Sequence, residues 1–398
     1  MSASLGAVKL LFENTRDNGL SHPGLLFSEP FHEVVCWDAK SLHQSLADLD
    51  ALRRDGYYLA GCLSYEAGYV LRGLSQLLET PTFPLMHFFA FKAPENLNTS
   101  EINAFLGKPR GVGSLANYQQ TVINNIHLNI TKSEYNKKFS RIKQHITAGD
   151  TYQVNLTTKY AFDIKGSSRG LYRALRERQK VAYSALLEMP NYEILSLSPE
   201  LFFSKTNHKM HVKPMKGTMP RDVDLIRDKA NQDFLRTDLK SRAENIIIVD
   251  LLRNDLSAIS KPGSVQVSKL LDVESYETVH QMTSSIESEV DVDLSFSEII
   301  HALFPCGSIT GAPKRRTMEI IHALERAPRH VYTGAIGYIT PQNNMSFNVP
   351  IRTVLCQNGR GELGVGGGIV YDSTMQSEFE EVQLKAKFFT DLLKPGVL

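Results

Sequence analysis

"YTGAIGYITPQNNMSFNVPIRTVLCQNGRGELGVGGGIVY", residues 332–371, contains three strand-like runs in close succession. "YTGAIGYIT", "MSFNVPIRTVLC" and "ELGVGGGIVY" are joined by "PQNN" and "QNGRG". Joints this short and rich in Pro, Asn and Gly close β-hairpins, whereas a crossover between parallel strands needs a dozen or more residues. Elsewhere a helix does precede a strand. "TKSEYNKKFSRIKQHITAGD" opens with the capping pair Thr131 and Glu134, carries Phe139, Ile142 and Ile146 on one face and stops at Gly149, after which Tyr152, Val154 and Leu156 alternate. This order does not recur regularly enough for a doubly wound parallel sheet. The expected fold is α+β, with large antiparallel sheets and helices on their outer faces.

A chain of 398 residues has room for two or three domains. Composition turns polar at "GKPRGVGSLANYQQ", which puts a boundary near residue 115. The 44 Lys+Arg and 43 Asp+Glu nearly cancel, and no long run of like charge occurs, so nucleic acid is not an expected partner. No apolar stretch approaches the roughly 20 residues that cross a bilayer, and "MSASLGAVKLLFENTRD" lacks the pattern of a signal peptide. A cytoplasmic protein with no membrane partner is expected. Cys36, Cys62, Cys306 and Cys356 lack CxxC spacing and read as reduced thiols.

Several charged residues stand where burial is expected. "VKPMKGTMPRD" puts Lys216 directly before Gly217, where a strand bends; a solvated turn lysine is the ordinary explanation. "DSTMQSEFEEVQLKAKFFTDLLK" reads as a helix capped by Ser373 and Gln376, with Phe379, Val382, Ala386 and Phe389 facing the core. Glu378, Glu381 and Lys385 lie on the adjoining stripe, where Glu381 and Lys385 could simply form an i, i+4 ion pair. A second helix, "KSRAENIIIVDLLRNDL", carries Glu244 ahead of an apolar run. Carboxylates meeting at a core edge repel unless protonated or bridged, and an all-oxygen set suits Mg2+. Arg352 in "VPIRT" falls in an expected strand, where a substrate carboxylate or a protein one would satisfy its fork. "CGSITGAPKRRTMEII" sets a glycine loop before a helix but does not match a nucleotide-binding loop. Its cluster Lys314, Arg315 and Arg316 hints at an anionic neighbour.

In order, "AGDTYQVNL", "LSLSPELFF", "KPMKGTMPR", "RAENIIIVDLLRNDL", "FPCGSITGAPKRRTMEII", "YTGAIGYI", "IRT" and "GGGIVYDS" followed by "SEFEE" resemble the chorismate-utilising enzymes. That family includes anthranilate, isochorismate, salicylate and aminodeoxychorismate synthases. The likeness runs from about residue 120 to 390 and is closest to the first component of aminodeoxychorismate synthases, which "LLFENTRD" and "GYYLAGCLSYEAGYVL" also resemble. It implies two large antiparallel sheets packed face to face. An N-terminal region, 1–115, would be integrated with the core, and 120–396 would form the chorismate-binding catalytic domain.

The resemblance also implies roles. Glu244, Glu381 and, through water, Glu378 would hold Mg2+. Arg352, Tyr332, Lys385 and the backbone of Gly366, Gly367 and Gly368 would hold substrate carboxylates. Gly217, Thr218 and Gln153 would line the substrate site, with His280 near the ring, and Glu200 would protonate the departing C4 hydroxyl. Relatives that add water at C2 carry a lysine base where this chain has Gln153, and glutamine accepts no proton at neutral pH. Anthranilate synthases usually carry alanine at the position of Lys216. The lysine therefore looks like a nucleophile that attacks C2, after which ammonia attacks C4. At an unperturbed pKa only roughly one lysine in a few thousand is neutral at pH 7, so burial or nearby cations must favour the free amine. An ionised Glu200 would oppose this.

No G-x-C-x-G nucleophile elbow occurs, so ammonia is expected from a separate glutaminase subunit. Ser346, where relatives often have aspartate, and Cys306, in place of a small residue, touch no assigned role. Tryptophan binding known in the family is disfavoured by "LLFENT". The competing readings are an anthranilate synthase large component and a non-catalytic subunit of the same fold.

Overall fold

The computed structural model describes residues 8–16, 19–107, 121–276 and 279–393. Within them the strands form two 10-stranded sheets. In the first sheet Gly24–Ser28, Lys9–Glu13, Tyr183–Glu188, Glu193–Ser198, Thr353–Gln357, Arg360–Ile369 and Gln153–Lys165 lie side by side. In the second, His32–Cys36, Met86–Phe91, Tyr58–Leu63, Ala335–Ile339, Met345–Asn348, Leu201–Thr206, Lys209–Lys213, Val279–Glu289 and Met215–Pro220 do the same. Every one of these pairings is antiparallel. The N-terminal strands thus belong to both sheets. The boundary expected near residue 115 lies outside the described residues.

Alternation along the strands sorts side chains into three apolar layers. Leu10, Phe12, Ala60, Cys62, Phe89, Phe91, Ala185, Leu187 and Ile194 meet between the sheets. Leu11, Leu186 and Leu195 turn the other way, onto the helices Lys132–Thr147, Ser168–Arg178 and Met375–Thr390. Leu59, Leu63, Phe88 and Ala90 likewise turn onto Leu42–Arg54, Leu239–Ser257 and Phe296–Leu303. Antiparallel sheets with helices outside are the architecture expected from the hairpin spacing, and their face-to-face packing is the one the family resemblance implies. Each fully buried Leu or Phe adds roughly 1.5–3 kcal/mol, so these layers dominate stability.

Both short joints form hairpins. Asn343, Asn358 and Gly359 take the positive φ values, 63°, 52° and 75°, that such turns require. The middle run does not form one strand, however. Met345–Asn348 ends in the second sheet, Val349–Arg352 crosses over, and Thr353–Gln357 begins in the first. Arg352 therefore sits in a crossover at φ 50°, not in a strand. A second crossover runs beside it, between Glu193–Ser198 and Leu201–Thr206. Val349 N donates to the Glu200 carbonyl and Leu197 N to that of Arg352, each at 3.1 Å.

The helix Lys132–Thr147 has the expected capping box, and Gly149 follows its end at φ 80°. The last helix begins one residue later than expected. Thr374, not Ser373, accepts from Ser377 N, because Ser373 Oγ is already taken by Val370 N. All four cysteines are free and buried. Among the described residues no helix is long and apolar enough to cross a membrane.

Candidate active site

Lys216 lies on Met215–Pro220, where the register to Val279–Glu289 shifts between Lys216 and Thr218. Gly217 supplies the bulge at φ 75°, and a Cβ there would stand 2.6 Å from Ser241 Oγ. Only glycine fits, and the bulge re-aims its neighbour. Lys216 is half-buried; its Nζ donates to the Ser308 carbonyl at 2.8 Å and makes no ion pair among the described residues. Ser308 Oγ in turn donates to Glu200 Oε1 at 2.6 Å. Glu200 sits in the crossover, 3 % exposed. Burial raises its pKa, partly opposed by the Ser308 hydrogen bond and the charges of Lys216 and Lys385.

Gln153, at the start of Gln153–Lys165, is completely buried, and among the described residues neither Oε1 nor Nε2 has a partner. Each unsatisfied buried polar atom costs about 1–3 kcal/mol, so an amide retained this way points to a ligand. A Cβ at Gly368 would lie 3.3 Å from that amide, so glycine keeps this wall thin. On the same strand Lys385 Nζ donates to the Gly366 carbonyl at 2.9 Å. A Cβ at Gly367 would come within 3.2 Å of Glu378 Oε2 and 3.3 Å of Glu381 Oε1.

The acidic residues converge from two helices. Lys240 Nζ is wedged between them, 2.7 Å from Glu378 Oε1 and 3.7 Å from Glu244 Oε1. Lys385 pairs with Glu381 at 2.6 Å. Burial pushes the Glu244 pKa up to about 7, with Lys216 and Lys240 opposing and Glu381 and Glu378 adding to the rise. Burial also acts upward on Glu381, but Lys385, Lys240 and Lys216 outweigh it and hold that carboxyl below its ordinary range. As they stand, no three acidic, imidazole or thiol groups among the described residues converge as metal ligands. The Lys240 ammonium stands between two of the carboxylates. The donor set nevertheless fits Mg2+. It is all oxygen, Glu378 Oε2 is buried without a partner among the described residues, and Gly367 adds no side chain over it.

Arg352 has no side-chain partner among the described residues, and burial brings its pKa down to about 10. An unpaired, largely desolvated guanidinium is a strong receptor for a carboxylate. The Tyr332 ring lies over Gly364, where a Cβ would be 2.2 Å from it; burial raises its phenol, with Arg329 opposing and Glu325 and Glu200 adding to the rise. His280 lies farther along, opposite Met219, with Nε2 3.0 Å from Asp228 Oδ1 and Nδ1 2.8 Å from Ser275 Oγ. Both ring nitrogens are thus engaged by protein. Thr218 Oγ1 accepts from Gln281 Nε2 at 3.5 Å, a weak bond.

Three neighbours escaped the reading of the sequence. Ser308 lies inside the quoted glycine loop, but nothing in the spacing singles it out. Lys240 stands four residues before Glu244, a spacing that signals an ion pair but not its reach to a second helix. Arg329 is 5 % exposed, pairs with Glu325 at 2.7 Å and donates to the carbonyls of Ile309 and Asn155 at 2.9 and 2.8 Å, bracing the floor of the site. The basic cluster finds its anionic neighbours within the protein: Asp255 for Lys314, Glu319 for Arg315, and Asp150 and Glu319 for Arg316.

Known proteins resemble this chain in sequence and in fold. Aminodeoxychorismate synthase component 1 of Klebsiella aerogenes is 38% identical over 253 residues, 64% of this chain and 56% of that protein. The Bacillus subtilis protein of the same name is 38% identical over 256 residues, 64% of this chain and 54% of its own length. The chain thus spans just over half the length of these curated relatives. Among solved structures, anthranilate synthase component I from Streptococcus pneumoniae superposes with a TM-score of 0.76 at 26% identity, covering 91% of both chains. A 2,3-dihydroxybenzoate-specific isochorismate synthase from Bacillus anthracis gives 0.78 at 18% identity, covering 99% of this chain and 97% of its own, and shares the fold. The family model described as chorismate binding enzyme matches residues 18–391, nearly the whole of both sheets and their helices, and the chain belongs to that family.

Proposed function

We propose that this chain aminates chorismate at C4, yielding 4-amino-4-deoxychorismate for para-aminobenzoate and folate synthesis, as the first component of an aminodeoxychorismate synthase. The observation that carries this is the array Lys216–Ser308–Glu200, an amine and a buried acid held to one residue; the orphaned amide of Gln153, against Gly368, adds to it. Lys216 would attack C2 as the ring double bonds shift and the C4–O bond breaks, Glu200 giving its proton to the departing water. Ammonia would then attack C4, the double bonds would shift back, and the C2–N bond would break to free the lysine. Glu200 would recover a proton from the incoming amine. Gln153 cannot activate water at C2, which disfavours the hydroxylating reactions of the family.

Glu244, Glu381 and Glu378 would hold Mg2+, which when bound would neutralise a substrate carboxylate and orient the ring. Arg352 would grip a carboxylate through its fork. Ammonia would come from a separate glutaminase subunit. Mg2+-dependent consumption of chorismate with ammonium, without release of pyruvate, tests the reading; pyruvate would point to an anthranilate synthase, and no consumption to a non-catalytic subunit.

Two expectations follow. Arg352→Ala raises KM for chorismate by about 10- to 100-fold with a smaller change in kcat, the worth of a charge-assisted hydrogen bond, and Arg352→Lys restores little because the fork is lost. Titration calorimetry should find that Lys240→Met binds Mg2+ more tightly, by several-fold or more, because the competing ammonium is gone. Weaker binding in that variant would show that Lys240 assists the ion.

A further inference from the structure

Cys306, which the sequence offered only as a tolerated departure, touches the catalytic array. Its Sγ lies 3.3 Å from Ser308 Oγ, and that hydroxyl lies 2.6 Å from Glu200 Oε1. Cys306 and Ser308 are each 2 % exposed. A hydroxyl has one proton to give, and an ionised carboxylate can only accept. The Ser308 proton goes to Glu200 Oε1, which accepts whether the carboxyl is ionised or carries its own proton on Oε2, and with that proton committed the thiol donates to Ser308 Oγ. Burial pushes the Cys306 thiol up to about 11, so it keeps the proton this requires. The turn Gly307–Ile309 that carries Ser308 is braced on both sides. Thr310 Oγ1 shares its one proton between the carbonyls of Cys306 and Gly307, 3.1 and 3.2 Å away, and Arg329 Nη1 donates to that of Ile309 at 2.9 Å. A Cβ on Gly307 would stand 2.6 Å from Leu251, so the turn is pressed against the helix that carries Glu244.

We infer that Ser308, oriented by the Cys306 thiol, is a positioning residue that occupies Glu200 Oε1 and so commits Oε2 to delivering the proton to the departing hydroxyl. The inference rests on the proposed role of Glu200 as the acid. As the proton leaves Oε2 and the C4–O bond breaks, charge grows on the carboxylate, and the hydrogen bond from Ser308 strengthens with it. The carbonyl of the same residue holds Lys216, so one rigid turn sets both the acid and the amine. The titratable groups facing Glu200 are Lys216 from its strand, Lys385 from the last helix, Tyr332, and Cys306 from the turn.

The test compares Ser308→Ala, Ser308→Thr, Cys306→Ala and Glu200→Gln in the full chain, by melting temperature and by the pH profile of ammonium-dependent chorismate consumption. Ser308→Ala should keep KM within about threefold, lose about 10- to 100-fold in kcat, and move the alkaline limb upward. The sign follows because removing a hydrogen bond to the ionised form raises the pKa of Glu200 further, so the acid persists to higher pH. Ser308→Thr, which keeps the hydroxyl, should recover most of kcat, and Cys306→Ala should lose less in the same direction. A wild-type kcat and unmoved limb in Ser308→Ala, with Glu200→Gln inactive, would overturn this inference alone. A fully active Glu200→Gln would instead overturn the acid assignment beneath it. Should Ser308→Ala fail to fold, a wild-type profile in Cys306→Ala overturns the inference, and a lowered kcat with a raised limb supports it.

Discussion

Lys216→Ala is expected to lose at least about a thousandfold in formation of the C4 amine, the scale on which removing a covalent nucleophile acts. Among the described residues the side chain makes one hydrogen bond, to the neutral carbonyl of Ser308, so truncation costs the fold about 1 kcal/mol. The loss would therefore be chemical, and a melting temperature close to that of the parent should accompany it. Chromatography of the products carries the sharper information. With Lys216 in place, C2 is covalently occupied and ammonia is confined to C4. Without it, residual turnover should direct ammonia to C2 and release pyruvate. A variant with the parent's rate and product would remove Lys216 from the chemistry.

Glu200→Gln should cost about 10²- to 10⁴-fold in kcat, the usual worth of a general acid, with little effect on KM. The substitution keeps an oxygen for Ser308 to donate to while removing the proton that the C4 hydroxyl needs. The parent's activity should fall as pH rises through the elevated pKa of Glu200, because the protonated form is the working one, and the variant should lack that limb. The same residue sets a stability trade. For a carboxyl whose folded pKa is raised, the folded state binds more protons than the unfolded one. Stability is thus fully present below the unfolded pKa and falls as pH rises toward the folded value. Glu200→Gln should accordingly melt higher than the parent at neutral pH, and the gap should close in acid.

The hairpins were readable because their turns are local. Asn343, Asn358 and Gly359 need positive φ, and the residue types that tolerate it were in place. The crossover at Val349–Arg352 was not readable, because "VPIRT" has the apolar texture of a strand. What breaks it is a left-handed arginine, held by a hydrogen bond to Leu197 from a strand some 150 residues away in sequence. The last helix's cap falls one residue beyond the expected one because the capping-box pattern favours Ser373, three residues before Gln376, whereas Val370 N claims that hydroxyl and leaves Thr374 to accept from Ser377 N. Site residues were named through ordered motifs, yet their connections were tertiary. Lys240 bridging two helices, and Cys306 reaching Ser308 across a tight turn, depend on packing that no spacing announces.

The most direct measurement is intact-protein mass spectrometry after mixing the chain with chorismate and Mg2+ but no ammonium, followed by peptide mapping. With nothing to displace it, the amine should retain its substrate, so a species heavier by chorismate less one water should build up, mapped to Lys216 and missing from Lys216→Ala. Turnover on later addition of ammonium, with Lys216 never carrying that mass, would contradict the account.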